Sequence, residues 1–196
     1  MNNKENIIDV MLDLETLDNT NSPAIIQIAA VSFNLEDGEC GKEFNVLINP
    51  KSCLDIGLTI NGETVGWWLS QEKTVIEKVF INSITNGLNI TDALDSFSSF
   101  LNSLKTNEND IIHLWGNGTL ADGKWIESAY LATKKKMVWK YSSHEDVRTL
   151  VSLGKRILKR DLKEETDFVG EKHNAIDDCK HQIKYCHNIY KAIANI

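Results

Sequence analysis

Residues 7–15 have the sequence Ile7-Ile-Asp-Val-Met-Leu-Asp-Leu-Glu15, an apolar run that predicts a strand. Because side chains along a strand alternate between its faces, Asp13 and Glu15 project from the same face, with Cα atoms about 6.5–7 Å apart. Two carboxylates at this spacing can converge on one cation. The apolar residues at 10–14 favour a strand covered on both sides, where unpaired acids are rarely accommodated. The alternative is a strand with one exposed, polar face.

Three more strands are predicted from apolar runs. Those at 24–33 and 43–48 follow after short turns, which favours an antiparallel meander with the first strand. The third lies within 110–117, after an intervening helical region. The order of strands, helices, strand and two helices predicts an α/β fold, a mixed sheet of antiparallel meander and parallel strands flanked by helices.

Helical patterns connect these strands. Segment 61–80 is predicted to be largely helical, and 91–104 to be an amphipathic helix. Another helix is expected at 123–135, where the lysines at 134–136 are typical of a solvated helix end. Residues 154–172 are charged and weakly periodic, which predicts a loop-rich segment.

Composition limits the class of protein. A chain of 196 residues that is 42% hydrophobic and 25% charged fits one globular domain, residues 1–196. Its net charge of −7 argues against a broad surface that coats nucleic acid. The same charge is compatible with a small metal-dependent site that grips only the end of a strand.

Cysteine usage and the N-terminal segment indicate a cytoplasmic protein. The four cysteines include no CxxC pair, and reduced thiols are the simplest account of them. The N-terminal segment has no basic region followed by a long apolar run. Neither a signal peptide nor a membrane span is therefore predicted.

A second chemical signal is His173-Asn-Ala-Ile-Asp-Asp178, which opens a long helical pattern. At about 100° per residue, Asp178 lies at the edge of the apolar stripe, whereas Asp177 points nearly opposite it, toward solvent. Asp178 is the better site candidate, since a partly desolvated carboxylate needs a partner. The alternative is that both acids only favour the helix dipole. The predicted stripe comprises Ala175, Ile176, Cys179, Ile183, Cys186, Ile189, Tyr190 and Ile193.

Two further acids lie near the ends of predicted elements. Asp122 follows the turn Gly116-Asn-Gly118 at the start of a helix, so it can be aimed at Asp13 and Glu15. A lone helix cap is the alternative for Asp122. Asp146 could be a cap or an acid that supports the site from behind.

The adjacent rings of Trp67 and Trp68 cannot share one helical face. One is expected in the core, and the other could stack on a base. Trp68 is the predicted substrate contact. The alternative is that both rings are packed inside the domain.

Four carboxylates and one histidine therefore stand out. Gathered without cations, the acids would repel one another and raise each other's pKa values. Oxygen-only ligation suits Mg²⁺ or Mn²⁺ better than Zn²⁺. Two such ions can activate water and stabilise the leaving oxygen of a phosphodiester, and a nearby histidine can accept the proton of that water. The five residues are Asp13, Glu15, Asp122, Asp178 and His173.

These residues resemble the DEDD 3′–5′ exonucleases of ribonuclease H-like fold, in the subtype whose last motif carries histidine. The matching motifs are Asp13-Leu-Glu-Thr16, Trp115-Gly-Asn-Gly-Thr-Leu-Ala-Asp122 and the stretch that begins at His173. Phage and prophage exonuclease VIII-like and ribonuclease T-like enzymes are the most similar, through Trp67-Trp-Leu-Ser-Gln71 and Asp146-Val-Arg-Thr149. The resemblance covers nearly the whole chain.

The resemblance implies a metal-dependent 3′–5′ exonuclease that releases nucleoside monophosphates from the 3′ end of DNA or RNA. It implies two Mg²⁺ or Mn²⁺ ions held by four carboxylates, a histidine general base and three residues along the terminal nucleotide. The four carboxylates are Asp13, Glu15, Asp122 and Asp178, and the general base is His173. The residues along the terminal nucleotide are Leu14, Thr16 and Leu17.

Substrate preference is less determined than chemistry. Ala121 stands where the family commonly has an aromatic residue, so the wall beside the terminal nucleotide is expected to be wider. The expected substrate is a single-stranded 3′ end or an overhang. A homodimer is one assembly compatible with the sequence, which does not determine the oligomeric state. The competing class is a non-catalytic nucleic-acid-binding module that retains the fold. The presence of all five site residues argues against that class.

Overall fold

A computed structural model describes residues 6–171 and 174–196 of the chain. Within these residues five strands form one sheet: β1 (Ile7–Thr16), β2 (Ile25–Phe33), β3 (Cys40–Leu47), β4 (Ile111–Gly116) and β5 (His144–Asp146). Their order is β3-β2-β1-β4-β5. β2 runs antiparallel to β1 and β3, whereas β4 runs parallel to β1 and β5. The predicted α/β fold, a mixed sheet of antiparallel meander and parallel strands flanked by helices, is confirmed.

Helices cover both faces of this sheet. Two short π-helical segments, Ile76–Ile81 and Thr119–Gly123, continue directly into α-helices. Among the described residues, no helix combines the length and the apolar character needed to cross a bilayer. The α-helices are α1 (Pro50–Leu54), α2 (Gly62–Leu69), α3 (Lys73–Val75), α4 (Asn82–Asn86), α5 (Ile90–Leu104), α6 (Lys124–Ala132), α7 (Val147–Leu158) and α8 (Ala175–Ala194).

The central strand β1 is buried on both sides, as its composition predicts. Val10, Leu12 and Leu14 pack into a core with residues of α5 and α6. Met11 points to the opposite face and packs with residues of α7 and α8. Because Asp13 has the same parity as Met11, the period of two places the acidic positions on the face that α8 covers.

Helix α8 is capped at its N-terminus by Asn174 and buries most of the predicted apolar stripe. The Asn174 side chain accepts a hydrogen bond of 3.2 Å from the Ile176 backbone N–H. Tyr190 was predicted to be buried but is 36% exposed, whereas Tyr185 is 1% exposed. The apolar face therefore turns slightly around the helix toward Tyr185. The buried members of the stripe are Ala175, Ile176, Cys179, Ile183, Cys186 and Ile189.

Two predicted element boundaries are wrong. The helical region predicted at 61–80 is divided, since α2 ends at Leu69 and a new helix begins at Lys73. The segment predicted to be loop-rich from residue 154 onward begins inside α7, which continues to Leu158. Gly154 is buried against Ile189 of α8, so the glycine allows close helix packing and does not end the helix.

Gly154→Ala is expected to destabilise the fold, although alanine has the higher helix propensity. A Cβ atom at position 154 would lie 2.6 Å from Cγ2 of Ile189. Overpacking costs about 1–3 kcal/mol, which outweighs the gain of about 1 kcal/mol from replacing a helical glycine. The control is Gly66→Ala in α2, where the added Cβ meets no atom within 4 Å. That variant should gain about 0.5–1 kcal/mol. Urea unfolding that gives both variants the same stability would contradict this packing.

Candidate active site

Three carboxylates converge at the end of β1. Asp13 and Glu15 come from β1, and Asp178 comes from the first turn of α8. One oxygen of each lies within 4.8 Å of one oxygen of the others. The strand parity and the helix phase that make these residues candidates thus bring their side chains to one point.

A fourth carboxylate reaches this cluster from the loop after β4. Gly118 has a φ of 121°, a conformation rarely adopted by other residues, and it turns the chain into the π-helical segment that carries Asp122. The Asp122 side chain is 6% exposed, and its Oδ1 accepts a hydrogen bond of 3.3 Å from the Leu14 backbone N–H. Asp122 is therefore fixed to the residue between Asp13 and Glu15.

Burial raises the pKa values of Asp13, Glu15 and Asp122 in this cluster. Burial raises the pKa of Asp13 well above its usual range, and the charges of Asp122, Glu15 and Asp178 raise it further. Burial raises the pKa of Glu15 to about 8, with a further contribution from the charges of Asp178 and Asp122. Burial raises the pKa of Asp122 to about 7, although the Leu14 N–H and the charge of Arg148 oppose this shift.

The donor set of the cluster fits a divalent cation. All of its ligands are carboxylate oxygens, which Mg²⁺ and Mn²⁺ prefer. A cation would also replace the protons that repulsion otherwise holds there. Asp13, Glu15 and Asp178 are the residues that offer converging oxygens.

Gln182 is a site residue that the sequence patterns do not single out. Its Nε2 donates a hydrogen bond of 2.9 Å to Oδ1 of Asp13, and its side chain is 4% exposed. The other oxygen of Gln182, Oε1, is buried and accepts no hydrogen bond from the described residues. The available signal was spacing, since Gln182 follows Asp178 by one helical turn. The amide fixes the orientation of the Asp13 carboxylate.

Asp146 is a helix cap that also supports the loop of Asp122. Its Oδ1 accepts a hydrogen bond of 2.7 Å from the Thr149 backbone N–H at the start of α7. Its Oδ2 accepts one of 2.8 Å from the Thr119 backbone N–H. Both sequence interpretations of Asp146 therefore apply: it caps α7, and it supports the loop that carries Asp122.

The expectation that Asp177 points only to solvent is wrong. Its Oδ2 accepts a hydrogen bond of 2.9 Å from the Glu171 backbone N–H, and its carboxylate packs against Gly170. Asp177 thus ties the segment that precedes α8 to the first turn of that helix. The predicted general base, His173, lies outside the described residues.

The predicted substrate contact of Trp68 needs correction. Trp68 is 1% exposed, and its Nε1 donates a hydrogen bond of 2.9 Å to the Thr16 carbonyl oxygen. Its ring fills the core beside the end of β1, so it offers no face to a base. The ring of Trp67, which is 44% exposed, is the accessible one of the pair.

The other predicted nucleotide contacts differ in accessibility. Leu14 and Leu17 are 6% and 2% exposed and belong to the core beneath β1. Thr16 is partly exposed, and its Oγ1 donates a hydrogen bond of 2.7 Å to the Asp18 carbonyl oxygen. Thr16 is therefore the member of this set with the most surface available to a ligand.

Comparison with known proteins gives a family and a set of similar folds. The family model described as the Rv2179c-like 3′–5′ exoribonuclease domain matches residues 8–190. No curated protein matches the chain. Among solved structures, the nuclease domain of 3′hExo, a DEDDh family member bound to rAMP, is 14% identical with a TM-score of 0.66. That match covers 94% of this chain and 92% of the other.

Two further structures share the fold. Cell-death related nuclease 4 is 14% identical with a TM-score of 0.67, covering 98% of this chain and 66% of that one. Exonuclease I of E. coli, in complex with a dT13 oligonucleotide, is 13% identical with a TM-score of 0.63. The match covers 96% of this chain but 42% of exonuclease I. At these identities the similarity establishes the fold alone.

In excess chelator, stability should fall as pH rises from about 5 to about 8. The pKa values of Asp13, Glu15 and Asp122 are all raised in the folded state. Their stabilising protons are therefore lost as pH passes through the folded values, and Tm should drop by roughly 5 °C or more. Thermal scans at several pH values measure this change.

Two comparisons make the stability test specific to the cluster. Glu15→Gln should flatten the dependence, because that side chain no longer ionises. Added Mg²⁺ should raise Tm more at pH 8 than at pH 5, since protons compete with the cation at the lower pH. A Tm in chelator that stays level or increases up to pH 8 would contradict the raised pKa values.

Proposed function

The chain belongs to the Rv2179c-like 3′–5′ exoribonuclease family, and we propose that it removes nucleoside 5′-monophosphates one at a time from the 3′ end of RNA. The enzyme is an exonuclease hydrolase. The observation that carries the proposed chemistry is the convergence of the Asp13, Glu15 and Asp178 oxygens within 4.8 Å. The proposed substrate is a single-stranded end or overhang, with residues 1–196 acting as one domain.

In this proposal the four carboxylates hold two Mg²⁺ or Mn²⁺ ions. When bound, such ions supply the Lewis acidity that activates water and stabilises the charge developing on the phosphodiester oxygens. Asp13, Glu15 and Asp178 provide converging oxygens, and the hydrogen bond from Leu14 keeps Asp122 beside them. Gln182 limits the rotation of the Asp13 carboxylate, so the site is preorganised before the substrate arrives.

In this proposal His173 is the general base that accepts the proton of the attacking water. The assignment comes from its position five residues before Asp178 and from the resemblance to the histidine subtype of this nuclease class. Imidazole titrates near neutral pH, so it can accept a proton and release it again between turnovers. The tie between Asp177 and Glu171 supports the proposal, because it anchors the chain immediately before this position.

The preference for RNA is taken from the description of the family. The 2′-hydroxyl is the group that distinguishes RNA from DNA at a site. A similarity to phage exonuclease VIII-like and ribonuclease T-like enzymes, and a homodimeric assembly, belong to the same proposal. Matched RNA and DNA oligonucleotides of one sequence test the preference directly.

Hydrolysis should depend entirely on a divalent cation and proceed from the 3′ end. A 5′-labelled RNA should give a descending ladder, and a 3′-labelled RNA should release a labelled mononucleotide first. Excess EDTA should stop both, and Mg²⁺ or Mn²⁺ should restore both, since the carboxylates alone provide no Lewis acid. Undiminished cleavage in chelator would disprove the metal-dependent chemistry.

Variants separate a catalytic role of the cluster from a structural one. Asp13→Asn should abolish turnover and raise Tm in chelator, because it removes one of the repelling charges. Asp55→Asn is the matched control, since Asp55 is exposed and, among the described residues, forms an ion pair with Lys51 alone. That variant should keep its activity and change stability by no more than about 1 kcal/mol.

His173→Ala should lower kcat by about 10²- to 10⁴-fold, the usual contribution of a positioned general base. The wild-type rate should rise with pH through the titration of a neutral base near about 6.5, and the variant should lose that dependence. His187→Ala, nine residues beyond Asp178 on α8, is the control and should leave the pH profile unchanged. A His173→Ala enzyme with the wild-type pH profile would rule out this role.

A further inference from the structure

The basic side chains of this acidic protein are unevenly distributed. Residues 148–163 contain six of its 21 basic side chains but one of its 28 acidic ones, and all three of its arginines. Most of these residues belong to α7 and the segment that follows it. The net charge of −7 therefore conceals a local excess of positive charge.

Three exposed residues align along one side of α7. Arg148, Ser152 and Arg156 follow at intervals of four, so they share a helix face and are spaced by about 6 Å along the axis. We call this set the α7 stripe. All three line a cavity of about 460 Å³ on one side of the stripe and one of about 360 Å³ on the other. Lys163 and the acidic Glu164 line the larger cavity from the segment after α7.

The arginines of the α7 stripe are available to an external anion. Two of their basic neighbours are already paired, Lys155 with Asp161 at 2.5 Å and Arg160 with Glu165. In the part of the chain that the structure describes, neither Arg148 nor Arg156 forms such an ion pair. Arginine presents a planar fork of donors that matches phosphate oxygens, and a serine hydroxyl can add a further hydrogen bond.

The α7 stripe begins at the candidate active site. Asn117, which follows β4 and precedes the turn to Asp122, lines the larger cavity together with Arg148. The Arg148 guanidinium passes so close to Gly118 that a Cβ atom there would lie 3.2 Å from its Cζ. Arg156 lies two helical turns farther, about 12 Å along α7. The stripe thus leads away from the loop that carries Asp122.

We propose that the α7 stripe binds the sugar-phosphate backbone of the substrate strand on the side away from its 3′ end. This inference rests on the proposed exonuclease function and specifies its substrate as a single-stranded nucleic acid several nucleotides long. Arg148, Ser152 and Arg156 contact successive phosphates of the strand whose terminal phosphodiester lies at the acidic cluster. Sequence is not read by such contacts, so the stripe increases affinity without base preference.

The salt dependence of binding tests the stripe without requiring catalysis. The full chain is titrated against a 5′-fluorescein-labelled ten-nucleotide RNA in EDTA, from 50 to 300 mM salt. The phosphate contacts of the two arginines predict a slope of log K against log salt of about −1.4, and the neutral Ser152 adds nothing to it. Arg156→Gln should weaken binding about 3- to 10-fold and reduce the slope by about 0.7.

Lys136→Gln is the matched control for this titration. It removes the same charge from an exposed lysine in the run at 134–136, which lies outside α7. Its affinity and slope should equal those of the wild type. An Arg156→Gln protein with the wild-type slope, or equal losses in both variants, would overturn the proposal.

Kinetics on short and long RNA provide the second test. Arg156→Gln should lower kcat/KM about 3- to 10-fold on the ten-nucleotide RNA and leave it unchanged on a dinucleotide, which is too short to reach Arg156. Equal losses on both substrates would overturn the proposal. A wild-type protein that cleaves neither RNA would disprove the exonuclease function, and the titration would still decide whether the stripe binds RNA.

Discussion

Repulsion among buried carboxylates is the constraint on which the site depends. Four acids meet where β1 ends. Burial raises the pKa values of Asp13, Glu15 and Asp122, and repulsion from neighbouring acids adds to this shift for Asp13 and Glu15. A fold can hold such a group only if other contacts supply the missing stability. The two cores that enclose β1 do so, because the strand is buried on both faces and its position cannot shift to relieve the repulsion.

The same constraint explains the hydrogen bonds around the cluster. Two of the acids are each held by a hydrogen bond from another element: the Leu14 N–H of β1 fixes Asp122, and Gln182 of α8 fixes Asp13. Asp146 holds the loop before Asp122 and the start of α7 through opposite oxygens. These contacts preorganise the carboxylates, so that binding a cation costs little rearrangement.

Local periodicity was sufficient to predict the strands of the sheet, the shared face of Asp13 and Glu15 on β1, and the position of Asp178 at the edge of the apolar stripe of α8. Each of these depends on neighbouring residues of one element. The failures involve contacts between elements. The loop-rich segment was predicted to begin at Gly154, whereas α7 continues past this glycine, whose missing side chain admits Ile189 of α8. Asp177 was assigned to solvent from the helix phase alone, but a backbone N–H from the preceding segment reaches it. Adjacent Trp67 and Trp68 have opposite environments that no local pattern distinguishes.

The positive charges of α7 lie where a polyanionic substrate would approach the acidic cluster. A cluster of acids repels an incoming polyanion, and a net charge of −7 would add to that repulsion if it acted over the whole surface. At physiological ionic strength, however, exposed charges are largely screened beyond about 8 Å. An incoming phosphate therefore responds mainly to the few charges beside it. Arg148 stands against the loop of Asp122, and Arg156 continues the same helix face. Local placement of these cations, not the total charge, decides whether a strand can approach the cluster.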